Sequence, residues 1–273
     1  PQPDAHFVPL AATEPTRRAA SPPQISKNAG RVQAKKGSAV LEEIRNIGLL
    51  AHVDAGKTTL TEQLLAAAGA IRRAGNVDAG TSQTDWREVE KRRGISVKAA
   101  CARLAHGGGI INLIDTPGHV DFAGEVERSL AALDGAVLVL SAVEGVQAQT
   151  VLLWEALRAL RIPALVVINK LDRAGSDAAG VLEQAGRELD GLRPLLLHRA
   201  QEEGTDGCTV LPRTLEEPAF REELLLAAAE SDPEMEEKFL AEEPTGEAAL
   251  WEAVQAAARR GGPTPVLLAP AKL

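Results

Sequence analysis

Ala51-His52-Val53-Asp54-Ala55-Gly56-Lys57-Thr58-Thr59 stands between the apolar run Ile47-Gly48-Leu49-Leu50 and a helical pattern that begins near Leu60. A strand feeding a Gly-Lys-Thr turn that opens into a helix is the context of a phosphate-binding loop, because the amides of turn and helix N-terminus can wrap a phosphate chain. In that setting Lys57 reaches the β- and γ-phosphates and Thr58 offers its hydroxyl to Mg²⁺. Ala51 occupies the first position, where the strict pattern has Gly, while the Gly-Lys-Thr core is intact. Short motifs of this kind also arise by chance, so the remainder of the chain has to agree.

Composition sets outer limits. The 273 residues are 45% hydrophobic and 25% charged, which suits one large globular domain or two small ones. No apolar run approaches the length of a membrane span and no signal sequence opens the chain, so the expectation is a cytoplasmic monomer without membrane contact. Cys101 and Cys208 form no spaced cluster, which argues against a cysteine metal site or a disulfide framework. A net charge of -8 speaks against DNA binding by bulk attraction and leaves room for local contacts to RNA.

Residues 1–43 are rich in Pro, Ala and Ser with no sustained period, and read as a disordered tail. From Ile44 strand-like and helix-like segments alternate, which predicts an α/β fold with a doubly wound, mostly parallel sheet. Nearly continuous apolar runs at Ile44 to Leu50, Gly109 to Ile114, Ala136 to Leu140, Ala164 to Ile168 and Val266 to Leu268 suit buried parallel strands, and Ile95 to Leu104 suits an edge. Leu130 and Leu133, then Leu153, Leu157 and Leu160, recur at helical spacing and are expected in the core.

Two more motifs follow strands. Asp115-Thr116-Pro117-Gly118-His119 comes directly after Ile110 to Ile114; there Asp115 can hold Mg²⁺ through water and the Gly118 amide can meet a γ-phosphate. His119 sits where small GTPases carry the glutamine that orients the attacking water. Asn169-Lys170-Leu171-Asp172 ends the next run. A carboxylate at Asp172 accepts from both N1–H and the exocyclic amine of guanine, donors that adenine does not offer, so the nucleotide is GTP or GDP.

With these motifs, Arg93-Gly94-Ile95-Ser96 and the continuation Val120-Asp121-Phe122, the chain from Ile44 to about Arg173 resembles translational GTPases of the elongation factor G type, closest to the tetracycline resistance, ribosomal protection branch. Glu125 to Leu130, Leu133 to Ala136 and Gly145 to Thr150 carry the latter likeness, whereas Thr84 to Ser96 is similar to peptide chain release factor 3. The resemblance implies GTP hydrolysis with Mg²⁺, stimulated by the ribosome. It also implies a switch hydroxyl on Mg²⁺ at Ser96, where the family has Thr, and catalytic roles for His119, Lys57 and Asp54, the last near the phosphates. The run Lys91-Arg92-Arg93 is either a solvated face or, by resemblance, a contact to ribosomal RNA.

Residues 44–175 are thus expected to form the GTPase domain, 176–262 a helical insertion subdomain and 263–273 the last strand and fifth motif. In the insertion, the acidic stretch Glu216 to Glu247 reads as a solvated helical face or, by resemblance, as a contact to ribosomal stalk proteins, with Leu224, Leu225, Phe239, Leu240, Leu250 and Val254 supplying an apolar face. The family's Ser-Ala appears as Pro270-Ala271, so the Ala271 amide remains for guanine O6 while the hydroxyl is lost. A competing expectation is a nucleotide-binding module without useful turnover, since no later domains follow Leu273 in this sequence.

Overall fold

A computed structural model describes residues 44–71, 100–115, 130–230, 232–241, 243 and 245–270. Strand β1 (Ile44–Ala51) passes from exposed residues at its start to fully buried ones at its end, so it delivers the loop that follows it from the middle of the core. Helix α1 (Lys57–Ala67) comes next, then β2 (Ala100–His106), β3 (Gly109–Asp115) and β4 (Gly135–Ser141). Helix α2 (Ala148–Ala159), β5 (Ala164–Asn169) and α3 (Ala178–Glu188) follow. The chain continues through β6 (Pro194–Leu196), β7 (His198–Gln201), β8 (Thr209–Pro212), α4 (Pro218–Ala229), α5 (Pro233–Leu240), α6 (Glu247–Arg259) and β9 (Thr264–Leu268).

Seven strands form one sheet in the order β2-β3-β1-β4-β5-β9-β6. Among the described strands of this sheet only β2 runs antiparallel to its neighbour, and it lies at an edge, as expected for Ile95 to Leu104, of which 95–99 lie outside the described residues. The other pairings are parallel, with Ala51 opposite Val139 and Ser141 opposite Asn169. Side chains alternate faces along a strand, so each strand feeds two cores. Leu50, Leu138, Leu140, Val166, Ile168 and Val266 face Leu153, Trp154 and Leu157 of α2 and Val181 and Ala185 of α3. Leu49 and Leu113 meet Leu65 of α1 on the opposite face. Each fully buried leucine contributes about 1.5 to 3 kcal/mol, and helices on both faces are the arrangement a doubly wound sheet needs.

Between α3 and β9 the chain does more than add helices. β6 joins the sheet beside β9, and β7 and β8 pair as a separate antiparallel hairpin. Helices α4 to α6 gather around their own apolar cluster of Phe220, Leu224, Met235, Leu250 and Val254. Pro218 and Pro233 open α4 and α5, where a missing N–H costs nothing, and Asp232 accepts from the Glu234 and Met235 amides. The Arg213 guanidinium lies 4.3 Å over the Phe220 ring. Leu160, expected in the core, is exposed as the C-cap of α2, and Leu240, expected on the insertion's apolar face, is 74% exposed as the last residue of α5. Helical spacing places both on the right face, but the helix ends before that face is covered. Among the described residues no helix is long and apolar enough to cross a membrane.

Candidate nucleotide-binding site

Parallel pairing brings the carboxyl ends of β1, β3, β4 and β5 to one edge of the sheet, where ligands of open α/β folds bind. Asp115 ends β3 opposite Leu49, so its backbone lies beside the strand that feeds Ala51 to Thr59. The loop after β1 turns sharply: Asp54 has φ of 64° and Gly56 has φ of 92°. Gly56 is the N-cap of α1 and no side chain caps it, so the helix presents its first amides without a protein acceptor from the cap. That is the local condition for seating a phosphate.

Gly56 answers a second requirement. A Cβ there would stand 2.3 Å from Nδ2 of Asn169, whose amide donates to the Ala55 carbonyl at 3.0 Å. Asn169 is 2% exposed at the end of β5, so a buried side chain of the third motif holds the backbone of the first. Lys57 is buried at the first turn of α1, and the Thr61 hydroxyl donates to its carbonyl at 3.0 Å. Thr58 is half-buried one residue on, and Thr59 also opens the helix. Val53 is exposed at the tip of the loop.

His52 is buried and turned toward β4 and α2. Its Nε2 lies 3.2 Å from Glu144 Oε2 and its Nδ1 lies 3.3 Å from Thr150 Oγ1. The Thr150 hydroxyl accepts from the Gln147 amide, so it can donate to Nδ1 while Nε2–H donates to the carboxylate. Burial works against the charge on Glu144, but the His52 and Ser141 hydrogen bonds and the nearby Lys170 ammonium outweigh it and hold the carboxyl below its ordinary value. Lys170 Nζ is 3.5 Å from the same oxygen, and its backbone is left-handed, with φ of 68°.

The loop of the third motif is braced from behind. Leu171 is fully buried, its amide meets the Ala269 carbonyl, and its own carbonyl accepts from Ser176 Oγ at 3.0 Å and from the Gly204 amide at 2.8 Å. Gly204 lies between β7 and β8, and Glu203 beside it accepts from the Ala178 amide at 2.7 Å, so the hairpin loop supports both this motif and the start of α3. Asp172 is 6% exposed. Burial raises the Cys208 thiol pKa, and the carboxylates of Glu203, Asp172 and Glu202 push it the same way. A base that presents hydrogen-bond donors suits so acidic a corner.

The structure brings Ala51 to Thr59 and Asn169 to Asp172 together along one sheet edge with the backbone of Asp115. Ser96, Thr116 to His119, Ala271 and the run Lys91-Arg92-Arg93 lie outside the described residues. Sequence reasoning missed Glu144 and Thr150, which orient His52, and Gly204, which braces Leu171. The signal for Glu144 and Thr150 was their place just after a strand that ends beside the phosphate loop.

The profile of the elongation factor Tu GTP binding domain matches residues 42–267. The chain is 58% identical over 144 residues to tetracycline resistance protein TetM of Streptomyces lividans, covering 53% of this chain and 22% of that one. It is 44% identical over 202 residues to tetracycline resistance protein TetW of Butyrivibrio fibrisolvens, covering 74% and 30%. Against elongation factor G 2 of Geobacter metallireducens it is 40% identical over 247 residues, covering 81% and 35%. A solved structure from Thermus thermophilus superposes with a TM-score of 0.74 at 34% identity, covering 84% of this chain and 38% of that one. The chain thus spans between about a fifth and two fifths of the length of these relatives. A seven-stranded sheet of this order, with this match over residues 42–267, makes the chain a member of the elongation factor Tu GTP-binding domain family.

Proposed function

We propose that the chain binds GTP across the ends of β1, β3 and β5 and hydrolyses it in the service of translation on the ribosome. The observation that carries this reading is the Asn169 to Ala55 hydrogen bond, which couples the loop suited to phosphate with the loop suited to guanine. The left-handed Gly56, with no room for a Cβ, fits close approach of a phosphate to the backbone. Asp172 accepts from guanine N1–H and N2–H₂, and the Ala271 amide meets O6.

Thr58, Asp115 and Ser96 would hold Mg²⁺, which when bound neutralises charge on the β- and γ-phosphate oxygens. Lys57 adds its positive charge to the same oxygens, with Asp54 beside them. His119 places a water in line with the γ-phosphorus. The water oxygen forms the new bond as the bond to the β–γ bridging oxygen breaks, giving GDP and phosphate.

The names of the relatives support a ribosomal partner, through ribosomal RNA at Lys91-Arg92-Arg93 and stalk proteins at the insertion. Identities of 58% and 44% to tetracycline resistance proteins favour ribosomal protection. The longer alignment with elongation factor G 2 favours, as the second reading, a factor of elongation factor G or release factor 3 type. The apolar cluster of α4 to α6 supports an insertion within 176–262 and a return to the domain at 263–273, while α3 and β6, inside the same stretch, pack with the main sheet and Leu195 of β6 joins the cluster. A monomer in the cytoplasm suits this role. Phosphate release from GTP, measured with and without ribosomes, tests the proposal; GTP binding with no turnover under either condition overturns the hydrolytic reading and leaves a nucleotide-binding module, and absence of GTP binding overturns both.

A further inference from the structure

At the end of the sheet opposite Asn169, two neighbouring strands begin in the same way. Helix α2 closes before β5 with hydrogen bonds from the Arg161 amide to the Arg158 carbonyl and from the Ile162 amide to the Leu157 carbonyl. Helix α6 closes before β9 with the matching pair, Gly261 to Ala258 and Gly262 to Ala257. Each closure is followed by a proline, Pro163 and Pro263. A cavity of about 420 Å³ lies between them, within the size range of small-molecule sites.

The described residues that line it include Arg158, Arg161, Arg259 and Arg260 and no carboxylate. The amides of both turns are spent on the helix closures, which leaves the guanidinium groups and the Thr264 hydroxyl as side-chain donors of the cavity. Arg158 is fixed in place: it bonds the carboxylate and carbonyl of Asp190 and lies against Gly191, where a Cβ would stand 2.7 Å from its Cζ. Trp154 Nε1 donates to the same Asp190 carbonyl at 2.9 Å, anchoring that wall. Among the described residues Arg161 and Arg259 make no ion pair.

Arginine near a helix C-terminus ordinarily complements the carbonyl end of the helix dipole. Arg158 and Arg259, in the last turns, already do so. Arg161 lies beyond its helix at φ of 54°, in the position that Gly261 fills at φ of 84° in the twin turn. The dipole gives no reason to place an arginine where glycine is the easier residue.

We propose that this cavity is a second anion site, separate from the nucleotide site, that takes a phosphate group between the guanidinium forks of Arg161 and Arg259, with Arg158 as the fixed wall. Guanidinium matches phosphate oxygens two at a time, and a basic recess on a chain of net charge -8 is where an anion collects. The phosphate comes either from a small phosphorylated molecule or from the backbone of single-stranded RNA.

Inorganic pyrophosphate, titrated calorimetrically into the intact chain saturated with GDP, should bind with one equivalent, and R161A/R259A should weaken it at least about tenfold with GDP affinity unchanged. Arg161→Gly separates binding from structure: it relieves the left-handed backbone, so the melting temperature should hold or rise while pyrophosphate affinity falls. Displacement of pyrophosphate by an eight-nucleotide single-stranded RNA identifies the backbone as the source, and its failure identifies a small molecule. Absence of binding at about 1 mM pyrophosphate, or equal affinity in parent and double variant, overturns the site. Because the comparison is between parent and arginine variants, a failure of GDP to bind would leave it standing.

Discussion

The Asn169 amide reaches across 114 residues of sequence to donate to the Ala55 carbonyl at 3.0 Å, with Gly56 packed so closely that no Cβ would fit. Asn169→Ala removes the donor and leaves a buried carbonyl unsatisfied, a cost of about 1 to 3 kcal/mol. The cost falls on the folded phosphate loop, so GTP affinity should drop by roughly ten- to a hundredfold while the sheet survives. Titration with a fluorescent GTP analogue checks this; parent-like affinity would show that the contact does not organise the loop.

Glu144 governs an acid transition. Its carboxyl is held below its ordinary value of 4.5, because the His52 and Ser141 hydrogen bonds and the Lys170 charge overcome the effect of burial. A lowered folded value means stability that is present above the unfolded value and lost as pH falls through the folded one. The carboxylate is 39% exposed, so solvent screens the effect and the contribution is modest. Melting temperatures of parent and Glu144→Gln should therefore differ at neutral pH and converge as pH falls through the lowered folded value of the Glu144 carboxyl. A constant difference down to the acid limit would rule the interaction out.

In the proposed reading, guanine preference rests on Asp172. Asp172→Asn replaces an acceptor of two donors with a group that offers a donor to a donor, a mismatch of about 1 to 3 kcal/mol in a buried site. GTP affinity should fall and xanthosine triphosphate affinity should rise, since xanthine presents an acceptor there. Equal GTP affinity in parent and variant would remove Asp172 from the base site.

Phe220 is fully buried, under the Arg213 guanidinium and 6.2 Å from the Trp251 ring centroid. Phe220→Ala should cost about 3 to 5 kcal/mol, the range for deleting a buried aromatic. The loss falls on the cluster of α4 to α6, so urea unfolding should move to lower concentration while nucleotide affinity, measured below the transition, changes little. A parallel collapse of GTP binding would show that this cluster and the phosphate loop unfold as one unit.

Much of this was legible because motif and strand coincide: continuous apolar runs announce buried parallel strands, and each nucleotide motif begins where such a run ends. β6 was not legible. Pro194-Leu195-Leu196 is three residues long, and its place beside β9 is set by a partner about 70 residues away rather than by its own pattern. Phe220 and Met235, both buried, were absent from the insertion's expected apolar face, which was drawn from Leu224, Leu225, Phe239, Leu240, Leu250 and Val254. Leu160 and Leu240 failed because periodicity predicts a face and says nothing of where the helix stops. The His52 ring pairs with Glu144 and Thr150 across more than 90 residues, a pairing that no local pattern encodes.

Chemistry and binding should separate at His119. In the proposed reading Lys57, the α1 amides and Asp172 supply interactions made with GTP in its ground state, whereas orienting a water matters only as the γ-phosphorus is attacked. His119→Ala should accordingly keep GTP affinity within about twofold of the parent and lower the rate of hydrolysis, with the larger loss where ribosomes stimulate the parent. Lys57→Ala should do the reverse in its first effect, weakening GTP binding before any rate can be compared. Single-turnover phosphate release at saturating GTP distinguishes the two variants. A His119→Ala rate equal to the parent's, with and without ribosomes, would mean that the water is placed by another group.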